Sequence, residues 1–171
     1  YGTAGQASAA LLARDGHELD VFEQAPSLGP VGAGLLLQPT GLEILWRLGL
    51  LPQALQHGAM IRRLHGCNQR GRRVMDMRYA DLDARLFGLG MQRGALFALL
   101  RSAWPNAAAV RCGIRIVTAD VVDGRLRDAH GGEYGPYDLV IAADGAASLL
   151  RGTIGGAQVD QAYPWGAVWC L

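Results

Sequence analysis

The chain has 171 residues with 16 basic and 15 acidic side chains, a net charge of +1, and half of its residues are hydrophobic. That length suffices for one ordinary domain with its own core, and the balanced charge excludes a field suited to nucleic acid or an anionic membrane surface. No apolar run is long enough to span a bilayer, and Cys67, Cys112 and Cys170 lack zinc-knuckle or disulfide-framework spacing, so a reducing, cytoplasmic setting is expected.

In chain order, Ala7 to Arg14 is rich in Ala and Leu and reads as a helix, with Gly16 placed for a left-handed C-terminal cap. Glu18 to Glu23 alternates polar and apolar residues, the signature of a strand that buries Leu19 and Val21, with Phe22 nearby. Pro26 to Gly34 reads as a loop. Thr40 with Glu43 suggests a capping box opening a helix that turns Leu42, Leu45 and Leu48 inward and stops at Gly49. A shorter helix follows Pro52 and closes near Gly58.

Ile61 to His65 and Val74 to Tyr79 read as strands joined by a turn at Asn68-Gln69-Arg70-Gly71, with Arg70, Arg72 and Arg73 as its solvated end. Gly94 to Ala103 is helical in pattern. Ile114 to Val117, Val121-Val122 and Leu126 suggest short strands, and Leu139 to Ala143 a buried one running into Asp144-Gly145. His17, His57, His65 and His130 are scattered singly and read as surface or turn residues rather than metal ligands. Strands alternating with helices, plus an inserted meander, imply an α/β nucleotide-binding domain.

Three segments carry chemistry. Gly2-Thr3-Ala4-Gly5 before an Ala-rich helix matches the last four residues of GxGxxG. In that motif Gly2 lets the backbone approach a pyrophosphate, Gly5 lets helix and sheet pack closely, and the helix N-terminus faces the phosphate charge. Glu23 ends the next strand at about the twenty-residue interval where a carboxylate grips a ribose hydroxyl. A carboxylate there repels a 2′-phosphate, which favours FAD or NAD over NADP. Arg93 stands at a helix start, where the helix dipole disfavours a cation unless an anion is present to pair with it.

Together these segments resemble the N-terminal half of the class A flavoprotein monooxygenases, the para-hydroxybenzoate hydroxylase-like family. Val21-Phe22-Glu23-Gln24 resembles its ribose-binding strand end, and Gly32-Ala33-Gly34-Leu35-Leu36 its GAG loop beside the flavin. Gln92-Arg93-Gly94 resembles its FAD-contacting arginine segment, and Asp144-Gly145 through Arg151 its DG motif, where the aspartate helps to hold FAD and the transient pyridine nucleotide.

The resemblance implies a Rossmann-like FAD-binding domain over 1–155, with a parallel sheet and a small β region inserted at about 60–91. The start of a substrate domain would follow at 156–171, entered through Tyr163 to Trp169. The absence of an initiating Met and the ends at Tyr1-Gly2 and Trp169-Cys170-Leu171 suggest a piece truncated at both ends.

The resemblance further implies cofactor contacts at Gly2, Gly5, Glu23, Gln24, Gly34, Leu36, Arg93, Asp144 and Gly145. The two ends of the chain would then fold back on one FAD, with Glu23 and Asp144 along a shared groove. NAD(P)H would reduce the flavin, dioxygen would add at C4a, and the hydroperoxide would hydroxylate a small, usually aromatic, substrate. A homodimer of the intact protein fits the family.

Departures are visible too. The family's second, Gly-Asp-Ala-type flavin motif is absent, Gln38-Pro39-Thr40 replaces Pro-Asn, and Leu36 stands near where some relatives carry a catalytic histidine. No general acid or base is identifiable, and Asp76 and Asp120 read as surface or turn residues. The alternatives are other users of the FAD fold, of the prenyl-lipid reductase or halogenase type, and a non-catalytic nucleotide-binding fragment. The absence of any lysine disfavours a halogenase.

Overall fold

The computed structural model describes residues 1–106, 109–154 and, singly, 161, 162, 164 and 166. Nearly all of 156–171, including Tyr163, Trp165, Trp169 and Cys170, lies outside the described residues, and so does the expected boundary near 155.

Helix α1 runs Thr3–Arg14. It ends as its sequence predicts: Gly16 adopts φ +90, and the His17 and Gly16 N–H groups donate back to the Leu12 and Ala13 carbonyls at 3.1 Å. Strand β1, Val21–Glu23, follows and pairs in parallel with β7, Val110–Cys112, matching Val21 to Val110 and Glu23 to Cys112. The long excursion between them satisfies the rule that parallel neighbours need a crossover.

That excursion contains a second layer. Strands β2 (Gly34–Leu37), β3 (Gly58–Ile61) and β6 (Gly88–Gln92) form an antiparallel sheet with β6 in the middle. Helices α2 (Pro39–Arg47), α3 (Leu51–His57) and α4 (Arg93–Ala103) supply the apolar stripes that cover it. The core is Leu42, Leu45, Leu50, Ala54, Leu89, Met91, Leu96 and Leu100. Each fully buried leucine contributes about 2 kcal/mol from apolar burial alone. Strands β4 (Arg63–Cys67) and β5 (Arg73–Arg78) project as a largely exposed ribbon. Its Asp76 is clamped by Arg63 at 2.6 Å and Arg73 at 2.9 Å, as suits a surface residue, and those guanidiniums pull its carboxyl down to about 2.

Strands β8 (Ile116–Asp120), β9 (Arg125–Asp128) and β10 (Glu133–Tyr134) form a three-stranded antiparallel meander. Aromatic contacts link it to β1: the Phe22 ring lies 4.7 Å from Tyr134 and 6.3 Å from Tyr137, with Arg111 over Phe22 at 5.7 Å. Asp20 accepts from Arg111 at 3.0 Å and from the Tyr137 hydroxyl at 2.7 Å. Burial and that carboxylate push the Tyr137 phenol up to about 12. A single helical turn, α5, covers Arg151–Ile154.

Three local expectations are corrected. The α2 N-cap is Gln38, with no side-chain cap bond, because Pro39 at the first helical position starts the helix before Thr40 can cap it. Val121 and Val122 form a turn, 72% and 88% exposed, because Asp120 accepts their following N–H groups, from Val122 at 2.8 Å and Asp123 at 3.1 Å.

The third concerns Leu139 to Ala143, which joins no sheet; Leu139 is 66% and Ile141 48% exposed. A buried parallel strand needs ladder partners on its edges. None of the described strands supplies one.

Candidate functional site

The site starts at the N-terminus of α1. Gly2 is its N-cap in extended conformation, and the first turn holds no acidic residue. The leading N–H groups of a helix have no intrahelical acceptor, so this end presents donors and partial positive charge. A β-carbon built on Gly2 would meet nothing within 4 Å, so the space beside its backbone is open to a ligand. At Gly5 the added carbon would lie 3.8 Å from the Ala143 Cβ, which sets the Asp-Gly segment against the glycine turn.

Glu23 ends β1, and its carboxylate faces the same place. Its Oε1 accepts the Ala25 N–H at 2.7 Å, and the Tyr1 amino group lies against Oε2. Burial pushes the carboxyl up, but the Ala25 and Gln24 N–H groups help to hold Glu23 below the usual range. At neutral pH it is therefore an anionic acceptor.

Arg93 is the first residue of α4. Its backbone N–H donates to the Ala33 carbonyl at 2.9 Å, and among the described residues its guanidinium makes one long contact, to the Val31 carbonyl at 3.5 Å. Gly2, Thr3, Glu23, the loop Ser27 to Val31, Arg93 and Phe97 line one cleft of about 180 Å³. An anion-binding helix end, a carboxylate acceptor and a weakly engaged guanidinium thus converge, as a diphosphate joined to a ribose requires. These residues fit an adenine dinucleotide.

The remaining expected contacts lie elsewhere. Gly34 and Leu36 sit in β2, paired with Gln92 and Gly90 of β6. Gln24, Asp144 and Gly145 do not line the cleft, and Asp144 approaches it only through the Ala143–Gly5 packing. Asp144 instead closes its own turn, accepting the Leu149 N–H at 2.9 Å and the Leu150 N–H at 3.4 Å. Burial raises its carboxyl, but the Ser148 hydroxyl and these N–H groups bring it below the ordinary value. Sequence reasoning missed Phe97 and the Ser27 to Val31 wall. The Gly/Pro content of 26–34 marked a loop without saying what it borders.

A family model for the FAD binding domain matches residues 2–170. The chain belongs to the FAD-binding domain family. This FAD-binding chain is 31% identical over 166 residues to 6-hydroxynicotinate 3-monooxygenase of Bordetella bronchiseptica, covering 94% of this chain and 43% of that protein. It is 33% identical to 3-amino-4-hydroxybenzoate 2-monooxygenase of Streptomyces cremeus, covering 90% of this chain and 40% of the relative. Among solved structures, the tetrameric form of 2-methyl-3-hydroxypyridine-5-carboxylic acid oxygenase superposes with a TM-score of 0.73 at 27% identity, covering 90% of this chain and 40% of that one. The FAD-binding chain thus spans about two fifths of the length of these relatives.

Proposed function

We propose that this chain forms the FAD-holding part of an NAD(P)H-dependent monooxygenase that hydroxylates a small aromatic substrate. The observation that carries the reading is the convergence of the Gly2 turn, Glu23 and Arg93 on one cleft. The substrate class is supported by the relatives, whose names specify a hydroxynicotinate and an aminohydroxybenzoate.

When bound, the flavin supplies the activation of dioxygen, and the chain's task is to hold and shield it. The α1 N-terminus faces the diphosphate, Glu23 accepts from the ribose hydroxyls, and Arg93 offsets phosphate charge. The β2 segment around Gly34 and Leu36, with Gln24, serves the rest of the cofactor, and Asp144-Gly145 closes the far side. The residues to about 155 make the cofactor domain, and those after it lead toward the substrate domain. Cys67 and Cys112 are free thiols, which supports a reducing, cytosolic setting. The tetrameric neighbour supports self-association, with a homodimer its simplest form.

The test is flavin retention and substrate-dependent NAD(P)H oxidation by the whole protein, offered hydroxylated pyridine and benzoate carboxylates. We expect bound FAD and a hydroxylated product. A protein that carries no FAD, or that halogenates or reduces its substrate instead, would displace the proposal.

A further inference from the structure

We infer that Gly113 is the positioning residue that aims the Glu23 carboxylate into the cleft. Gly113 follows β7 and does not itself line the cleft. A β-carbon built on it would find no atom within 4 Å, so crowding does not explain a glycine here. Its backbone does: φ is +75, a left-handed conformation that side-chain-bearing residues adopt at a cost.

That conformation turns two successive N–H groups of the β7 turn onto β1. The Ile114 N–H donates to the Glu23 carbonyl at 3.0 Å, and the Gly113 N–H donates to the Ala25 carbonyl at 2.9 Å. The pair pins the backbone on both sides of Gln24, directly after β1. Within this pinned stretch the Ala25 N–H donates to Glu23 Oε1 at 2.7 Å. One carboxylate oxygen is thereby committed to the backbone, and the other lies against the Tyr1 nitrogen, with both residues lining the cleft. Cys112, paired with Glu23 in the ladder, sets the register of the whole arrangement.

The inference rests on the proposed role of Glu23 toward the FAD ribose, so the experiment must separate the two. FAD affinity of the whole apoprotein is measured by fluorescence titration for Gly113→Val, Gly113→Asn, Glu23→Gln and the Glu23→Gln/Gly113→Val double variant, with melting temperature measured in parallel. Left-handed strain of a β-branched residue should weaken FAD binding on the order of ten-fold in Gly113→Val. Asn, which tolerates that conformation, should restore most of it. In the Glu23→Gln background the valine should cost no further affinity, although it still lowers the melting temperature.

An equal loss from the valine in both backgrounds would overturn the positioning role and leave the ribose role of Glu23 standing. Unchanged affinity in Glu23→Gln would overturn both. If Gly113→Val does not fold, Gly113→Ala supplies the same cycle with a smaller strain.

Discussion

The stem of Arg93 lies on Gly32: a β-carbon added to Gly32 would come within 3.1 Å of Arg93 Cδ and 3.2 Å of its Nε. This contact ties the first residue of α4 to the loop between β1 and β2, two segments separated by the whole β2–β6 excursion. The guanidinium therefore reaches the cleft at a height set by backbone, not by its own flexible stem. The dipole opposes a cation at a helix N-terminus. The position suits a charge that meets an anion.

Arg93→Ala should accordingly weaken FAD binding on the order of ten-fold or more, since a hydrogen bond to a charged group is worth about 1.5–3 kcal/mol. Gly32→Ala keeps the guanidinium but displaces its stem and strains a left-handed backbone (φ +92), and its loss should be intermediate. Arg72→Ala, on the exposed hairpin turn, should bind FAD like the unaltered protein. Retention of the full flavin complement by Arg93→Ala through gel filtration would remove the arginine from the site.

In the core, Gly58 is a packing glycine. An added β-carbon would lie 2.7 Å from Leu89 Cγ and 2.9 Å from Met91 Cγ. Gly58→Ala should destabilise the fold by about 1–3 kcal/mol through overpacking, and Leu89→Ala, at a fully buried position, by about 3 kcal/mol through a cavity. Because the alanine at 58 fills part of the space that Leu89 vacates, the double variant should be more stable than the sum of the two losses allows. Urea unfolding midpoints of the four proteins measure the coupling, and simple additivity would contradict the packing described here.

How legible this was in the sequence varied by element. Helices announced themselves: α1 by its Ala/Leu content and Gly16, α4 by its spacing of Leu96 and Leu100. Glu23 and Arg93 were legible because their chemistry is odd for their place, an acid at a strand end and a base at a helix start. Leu139 to Ala143 misled because an apolar run specifies a strand only where it finds ladder partners, and it pairs with none of the described strands. Val121-Val122 misled because propensity lost to the Asp120 turn. The Phe22–Tyr134–Arg111–Asp20 cluster was invisible, since its members come together only through the β1–β7 pairing.

Acid should loosen the meander before the core. Asp128, 8% exposed, accepts the His130 and Gly132 N–H groups at 2.8 and 2.9 Å and the Tyr134 hydroxyl at 2.6 Å. The Tyr134 hydroxyl above all, with these N–H groups, lowers its carboxyl below the ordinary Asp value. A folded value below the unfolded one means stability that is complete above the unfolded value of about 4 and is lost as pH falls through the folded value. Asp128→Asn should be less stable at neutral pH and show a flatter acid limb in a melting-temperature profile. Asp76→Asn should change little, because its pairs with Arg63 and Arg73 are exposed and salt-screened. Identical acid limbs for Asp128→Asn and the unaltered protein would assign the loss to other carboxylates.

Asp144 has a structural role in its turn, from which substitution can separate the proposed cofactor role. Its Oδ2 caps the turn at Leu149 and Leu150, and Ala143 beside it holds the glycine turn at Gly5. An amide oxygen can still accept an N–H, so Asp144→Asn should keep the turn and lose only the charge, whereas Asp144→Ala loses both. If the carboxylate serves only the turn, the Asn variant binds FAD normally and the Ala variant loosens it through the Ala143–Gly5 contact. If its charge acts on cofactor, both variants weaken binding and the Asn variant keeps its melting temperature. The lowered carboxyl sets the sign: the contribution is present at neutral pH and fades as pH falls below the ordinary Asp range. FAD titrations of both variants at neutral and mildly acidic pH measure it, and unchanged affinity in both would confine Asp144 to neither role.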